Sequence, residues 1–228
     1  MKRGKKYRES LKKYDRAASY GLNEAMGLVK TMAFAKFDET VDLSVKLNLK
    51  KSQSVRDTVV LPHQFRGEKR VLVFCKPEKE KEAQDAGAAF VGADDLIEKV
   101  KGGWTDFDVA VATPDMMKEV GKLGMVLGRK GLMPNPKAGT VTFDLKSALA
   151  ELKRGRVEFR ADKTGVVHLA VGKVSMEPAQ LAENVKAVVT EIRRKRPADA
   201  KGEFIQTVSV ASTMGPGVWV SIKDQEDA

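Results

Sequence analysis

The strands of this chain come in two styles, and their order restricts the fold more than any other feature. Between residues 41 and 49, Val41, Leu43, Val45, Leu47 and Leu49 alternate with Asp42, Ser44, Lys46 and Asn48. Strict period two over five apolar residues predicts a strand with one buried face. At residues 71–75 the style becomes an unbroken apolar run, VLVFC, the pattern of a strand covered on both sides. From Arg156 the alternating style returns in RVEFRADKTGVVHLAV, FIQTVSVAS and VWVSI. A chain that leaves one style and comes back to it reads as one domain interrupted by another. We therefore expect a two-domain protein. Its α+β terminal domain is built from residues 1–66 plus 158–228, and residues 67–157 form an inserted three-layer α/β, Rossmann-like domain.

Within the terminal domain, helices are expected over residues 5–16, 22–34 and 177–196, the last with Leu181, Val185, Val188, Val189 and Ile192 inward. Strands are expected at 41–49, 57–61, 204–212 and 218–222, with a hairpin over 156–171 that turns at 162–165. The insert reads as alternating strands and helices. Its strands lie at 71–75, 90–91 and 108–112, and its helices at 77–88, 94–103, 114–124 and 145–154. Asp144 opens the last helix and Gly155 ends it.

Residues 124–140, GMVLGRKGLMPNPKAGT, surround Arg129, Lys130 and Lys137 with four glycines and two prolines. That density predicts an irregular, rigid loop rather than a helix or a central strand. The loop carries three cations and no carboxylate.

The formal charge of +10 points to a polyanion, nucleic acid before an anionic membrane surface. Residues 1–66 hold 15 Lys/Arg against 7 Asp/Glu, residues 67–157 hold 16 against 14, and residues 158–228 hold 10 against 10, with Asp224, Glu226 and Asp227 in a tail. The positive charge thus sits mostly in the first segment. The basic start lacks an apolar stretch behind it, so it does not read as a secretory leader, and no run of about 18 apolar residues is present to span a membrane. A cytoplasmic protein is expected.

Chemistry is sparse. His63 and His168 stand far apart without metal-ligand spacing, and His63 after Pro62 reads as a turn residue. Cys75 sits in an apolar run as a small hydrophobe. The first strand–helix turn of the insert, FCKPEKEKEA, lacks glycines and puts two glutamates where a pyrophosphate would bind. Neither a cofactor nor a metal is expected. What remains is a binding surface. Phe37 beside Lys36 suits stacking on a base or ribose, though it shares parity with Val41 and Leu43 and reads equally as core. In STMGPG, Thr213 can meet a 2′-hydroxyl and the glycines admit a close backbone, or the segment is a plain turn. The run from Arg193 to Arg196 complements the dipole at the end of a helix.

The strings AKFDETV, VVLPH, DFDVAVATPD, LGRKGLMPNPKAGTV, FRADKTG and STMGPG, in order over residues 5–220, resemble the "L one" family of bacterial large-subunit ribosomal proteins. The resemblance implies a non-enzymatic two-domain protein whose terminal domain binds the large-subunit rRNA stalk by shape, through 2′-hydroxyls, backbone groups and ribose packing. Carried over by position, the contact set is Lys36, Phe37, Thr40, Asp162, Lys163, His168, Thr207, Thr213, Met214 and Gly215. Arg129, Lys130 and Lys137 form a possible secondary contact in a loop that is structural first. The family also implies release of deacylated exit-site tRNA, repression of its own mRNA leader, and a monomer within the ribosome. Asp57, Arg129–Lys130 and Ala161 depart from the family's usual residues.

Overall fold

The computed structural model describes residues 4–50, 53–67, 69–197 and 202–221, with Lys137 described by its backbone alone. The expected acidic tail and Ile222 lie outside the described residues. The chain divides into two compact units, Met1–Phe65 with Val157–Ala228, and Arg66–Arg156.

The chain opens with α1 (Lys5–Leu11), β1 (Ser19–Tyr20), α2 (Leu22–Met32), β2 (Thr40–Leu47) and β3 (Arg56–Val60). Next come β4 (Val71–Phe74), α3 (Pro77–Asp85), β5 (Phe90–Gly92), α4 (Asp94–Lys101), β6 (Val109–Ala112), α5 (Met117–Val120), α6 (Gly124–Lys130) and α7 (Leu145–Lys153). The first unit then resumes with β7 (Arg156–Arg160), β8 (Val166–Lys173), α8 (Pro178–Arg194), β9 (Ile205–Ser212) and β10 (Val218–Val220).

In the first unit five strands form a sheet in the order β1-β10-β9-β2-β8, and β2 is antiparallel to both of its neighbours. The inward residues of β2 (Val41, Leu43, Val45, Leu47) meet Leu22, Met26 and Val29 of α2 and Leu181, Val185 and Val188 of α8 in one core. Period two is thus realised as expected, with helices on a single face. The expected hairpin over 156–171 is not formed. β7 pairs with β3 in a separate two-stranded sheet, β8 pairs with β2, and the two arms meet just at the turn, through the bridge between Ala161 and Val167 and the Asp162 N–H donating to the Val166 carbonyl at 2.9 Å. The turn itself is present. Asp162 Oδ1 accepts the N–H groups of Thr164 and Val166 at 2.8 Å each, and Gly165 takes φ 80°. A Cβ on Gly165 would stand 2.9 Å from the Leu47 carbonyl oxygen.

The second unit holds a parallel sheet in the order β5-β4-β6. Leu72 and Phe74 of β4 pack with Leu96, Val100, Val120 and Leu127 on one side. Val71, Val73 and Cys75 pack with Ala83, Leu145 and Leu149 on the other. Helices therefore cover both faces, which is why the run VLVF needs no polar alternation. Asp144 caps α7, its Oδ1 accepting the Ser147 N–H at 3.1 Å.

Residues 124–130 correct the loop expectation, because they form α6. Leu123 and Leu127, one turn apart, are fully buried. Their burial outweighs a glycine penalty of about 1 kcal/mol per position. Gly131 then ends the helix with φ 70°. Beyond it, the Asn135 N–H donates to Thr140 Oγ1 at 2.7 Å, and a Cβ on Gly139 would lie within 3 Å of the Arg156 guanidinium. The stretch from Pro114 to Lys130 that precedes this is a succession of short 3-10 and α turns rather than one regular helix.

Candidate nucleic-acid interface

The side of the five-stranded sheet turned away from its helices is polar. Along β2 the residues of that parity are Thr40, Asp42, Ser44 and Lys46, none of them buried. Register lines up their neighbours. Ser44 lies opposite Ser209 of β9 and His168 of β8, Ser209 opposite Trp219 of β10, and Trp219 opposite Ser19 of β1. Lys46 lies opposite Thr207. The shift in register after Lys46 leaves Gln206 as the extra residue, so that Gln206 and Thr207 are both exposed. From Thr40 to Lys46 this row covers about 20 Å at a strand rise of ~3.4 Å per residue.

The structure therefore brings Thr40, His168 and Thr207 onto one open face. The His168 ring Nδ1 and Ser44 Oγ are 3.0 Å apart. Thr207 and Trp219 share a groove with Arg193 and Arg196. Most of the Arg193–Arg196 run has partners at the end of α8. Arg194 pairs with Glu191, Lys195 pairs with Asp57 at 2.6 Å, and the Arg196 guanidinium donates to the Gly202 carbonyl. The Lys195 pair gives the unusual Asp57 a local role.

At the Thr40 end two segments converge. Phe37 is 57% exposed and Met214 51% exposed, so the core reading of Phe37 is overturned. Parity with Val41 does not carry to Phe37 because the chain bends at Lys36 and Phe37 before it reaches β2. The Thr213 N–H donates to the Thr40 carbonyl at 3.0 Å. Thr213 Oγ1 accepts the Thr40 N–H at 3.0 Å and donates to the same carbonyl at 3.2 Å. Thr40 Oγ1 in turn accepts from Lys173 Nζ at 2.9 Å. Gly215 has an internal reason to be glycine, since a Cβ there would stand 2.4 Å from Ser212 Oγ. Lys36 is exposed beside Phe37.

At the Lys46 end stands the 162–165 turn, and Lys46 Nζ donates to the Thr164 carbonyl. Asp162 is taken up by the turn. The Val166 N–H, then the Thr164 hydroxyl, hold its carboxyl below the usual range. Lys163 is exposed at the tip.

Arg129 and Lys130 lie in the other unit, at the end of α6. Both are exposed, and Lys130 Nζ donates to Thr105 Oγ1. The side chain of Lys137 lies outside what is described.

Sequence reasoning missed Ser44, Lys46, Ser209 and Trp219, although their parity opposite the buried set was the available signal. It also missed Glu39. This residue is 1% exposed, and its carboxylate accepts N–H groups from Phe34, Ala35 and Met214. Burial would raise its pKa, but the N–H donors of Met214 and Ala35 overcome that and leave it below the ordinary 4.5. Among the described residues no His, Cys, Asp and Glu grouping could hold a metal, and no helix is long and apolar enough to cross a membrane.

The profile of the Ribosomal protein L1p/L10e family matches residues 29–216. The large ribosomal subunit protein uL1 of Treponema denticola is 67% identical, over 98% of this chain and 99% of its own. That of Treponema pallidum is 62% identical over 99% and 100%, and that of Leptospira biflexa 58% identical over 100% and 99%.

Proposed function

The chain belongs to the L1p/L10e family of ribosomal proteins, and from that premise we propose that the unit built from both chain ends binds the large-subunit rRNA stalk across its open sheet face. The protein is a structural constituent of the large ribosomal subunit, in the cytoplasm, and not an enzyme. In this reading it is a two-domain protein, with the terminal α+β domain holding RNA and the α/β domain inserted into it. The contact set is Lys36, Phe37, Thr40, Asp162, Lys163, His168, Thr207, Thr213, Met214 and Gly215. Arg129, Lys130 and Lys137 are a secondary contact. The protein moves with the stalk as deacylated tRNA leaves the exit site, and it represses its own operon by binding an imitation of the rRNA site in its mRNA leader.

One observation carries the RNA reading. Two large apolar side chains, Phe37 and Met214, stand exposed on segments held together at one end of a polar sheet face. An exposed aromatic offers a stacking surface to an unpaired base or ribose. Thr213 adds a polarity. Its hydroxyl hydrogen goes to the Thr40 carbonyl and one lone pair takes the Thr40 N–H, so one lone pair is left to accept. A ribose 2′-hydroxyl can donate to it, whereas deoxyribose has no such group.

Competition binding tests this reading. A labelled stalk RNA fragment competes against a scrambled RNA of equal length and against the matching DNA, at two salt concentrations. Preference for the stalk RNA that survives the higher salt is expected. Equal competition by all three, falling steeply with salt, would reduce the surface to generic phosphate binding.

A further inference from the structure

The two segments that carry Phe37 and Met214 are far apart in sequence, and a single buried carboxylate joins them. Glu39 Oε1 accepts the N–H groups of Phe34 at 3.0 Å and Ala35 at 2.8 Å, while Oε2 accepts the N–H of Met214 at 3.0 Å. We propose that Glu39 is a positioning residue for RNA recognition, clamping the 213–215 turn against the 34–37 segment so that both hold their RNA-binding arrangement before RNA arrives. The inference rests on the reading of this surface as the RNA interface.

The chemistry of the clamp is specific to a carboxylate. Its two oxygens face three N–H donors from two segments, and each donor would otherwise need its own acceptor. Bonds from N–H groups to an ionised acceptor are roughly twice as strong as neutral ones, and stronger still where water is excluded. The carboxyl sits below its ordinary range, so the acceptor is ionised at neutral pH. Beside it the Thr213–Thr40 bonds tie the same turn to the start of β2, and within the turn the Gly215 N–H donates to the Ser212 carbonyl at 3.1 Å. The side chains of Phe37 and Met214 stand exposed beside this network. Groups already ordered in the free protein lose little freedom on binding, which favours affinity without any new contact.

Glutamine is the diagnostic replacement. Its single oxygen can keep the Phe34 and Ala35 donors, but its amide NH2 then meets the Met214 N–H donor to donor. Glu39→Gln should therefore release the turn at Met214, while the Thr213–Thr40 bonds and the 34–35 side stay in place.

The test measures binding of the labelled stalk RNA to the full-length wild type, Glu39→Gln, Met214→Ala and the double variant. Glu39→Gln is expected to weaken binding by about tenfold to a hundredfold, the effect of an unsatisfied buried donor. The double variant should bind no more weakly than Glu39→Gln alone, because the released turn has already lost the Met214 contact. Penalties that add, or wild-type affinity in Glu39→Gln, overturn the proposal. Amide hydrogen exchange separates the clamp from general destabilisation, which would speed exchange at Phe34 and Ala35 as well as at Met214. Exchange at Met214 should be slow in the free wild type and fast in Glu39→Gln, with Phe34 and Ala35 unchanged. A Met214 amide that exchanges freely in the wild type overturns the clamp even if the variant does not fold. If the wild type shows no preference for the stalk RNA over scrambled RNA, the interface reading falls instead, and exchange at Met214 still decides whether the clamp exists.

Discussion

The two sheets of this molecule solve burial in opposite ways. The three-stranded parallel sheet has helices on both sides, and its central strand is apolar at every position. The five-stranded sheet is covered on one side only, and its other side carries Thr40, Ser44, Lys46, His168, Thr207 and Trp219. A sheet covered twice has no surface left to offer, so anything it binds must meet helices or loops. A sheet covered once presents a broad, flat face whose side chains are spaced by the strand geometry. The same difference appears in charge, with residues 1–66 strongly positive and residues 67–157 nearly neutral. One unit is built to present a surface, the other to enclose one.

Substitutions should separate the two. The largest effect is expected in the enclosed unit. Leu127→Ala removes a fully buried side chain of α6 and should cost about 2–5 kcal/mol of that unit's stability. Read by denaturant melts alongside RNA titration, it should change stalk affinity of the folded protein by about 1 kcal/mol or less, the most its exposed secondary cations supply, and a larger loss would make the α/β unit a primary part of the interface. Phe37→Ala should do the reverse, weakening RNA binding by roughly 1–3 kcal/mol. Because the residue is 57% exposed, the melting temperature should hardly move. A variant that unfolds would return Phe37 to the core.

A smaller effect concerns acid. Glu39 has a folded pKa below the ordinary 4.5, so its contribution is complete above that value and is lost as pH falls through the folded one. The stability gap between wild type and Glu39→Gln should therefore be constant at neutral pH and narrow on acidification below 4.5. A gap that instead narrows between pH 8 and pH 6 would mean another group is titrating. Smallest of all, replacing both Arg129 and Lys130 by alanine should change RNA affinity by about 1 kcal/mol or less, since exposed cations contribute modestly and are screened by salt.

Much of this contrast was legible in the sequence, because period two and unbroken apolar runs report directly how many faces are covered. Pairing was less legible. Residues 156–171 contain two strands and a good turn, and nearness in sequence suggested a hairpin. The partners are β3 and β2 instead, and no periodicity within a strand names its neighbour. In residues 124–130 the glycines overshadowed the one-turn spacing of Leu123 and Leu127, which fixed a helix against the core. For the candidate site, spacing alone could not show that Thr40, Thr207 and His168 share a face. Only register across three strands does that. Glu39 was open to recognition. It has the inward parity of Val41 and Leu43, and an acid at an inward position needs donors.

The most direct test of the contrast is photo-crosslinking of the stalk RNA to the full-length chain, with adducts located by mass spectrometry. Crosslinks at Phe37, His168 and Met214, with few in residues 66–156, are the expected result. Crosslinks concentrated in residues 66–156, with Phe37 and Met214 unmodified, would contradict it and move the RNA surface to the enclosed unit.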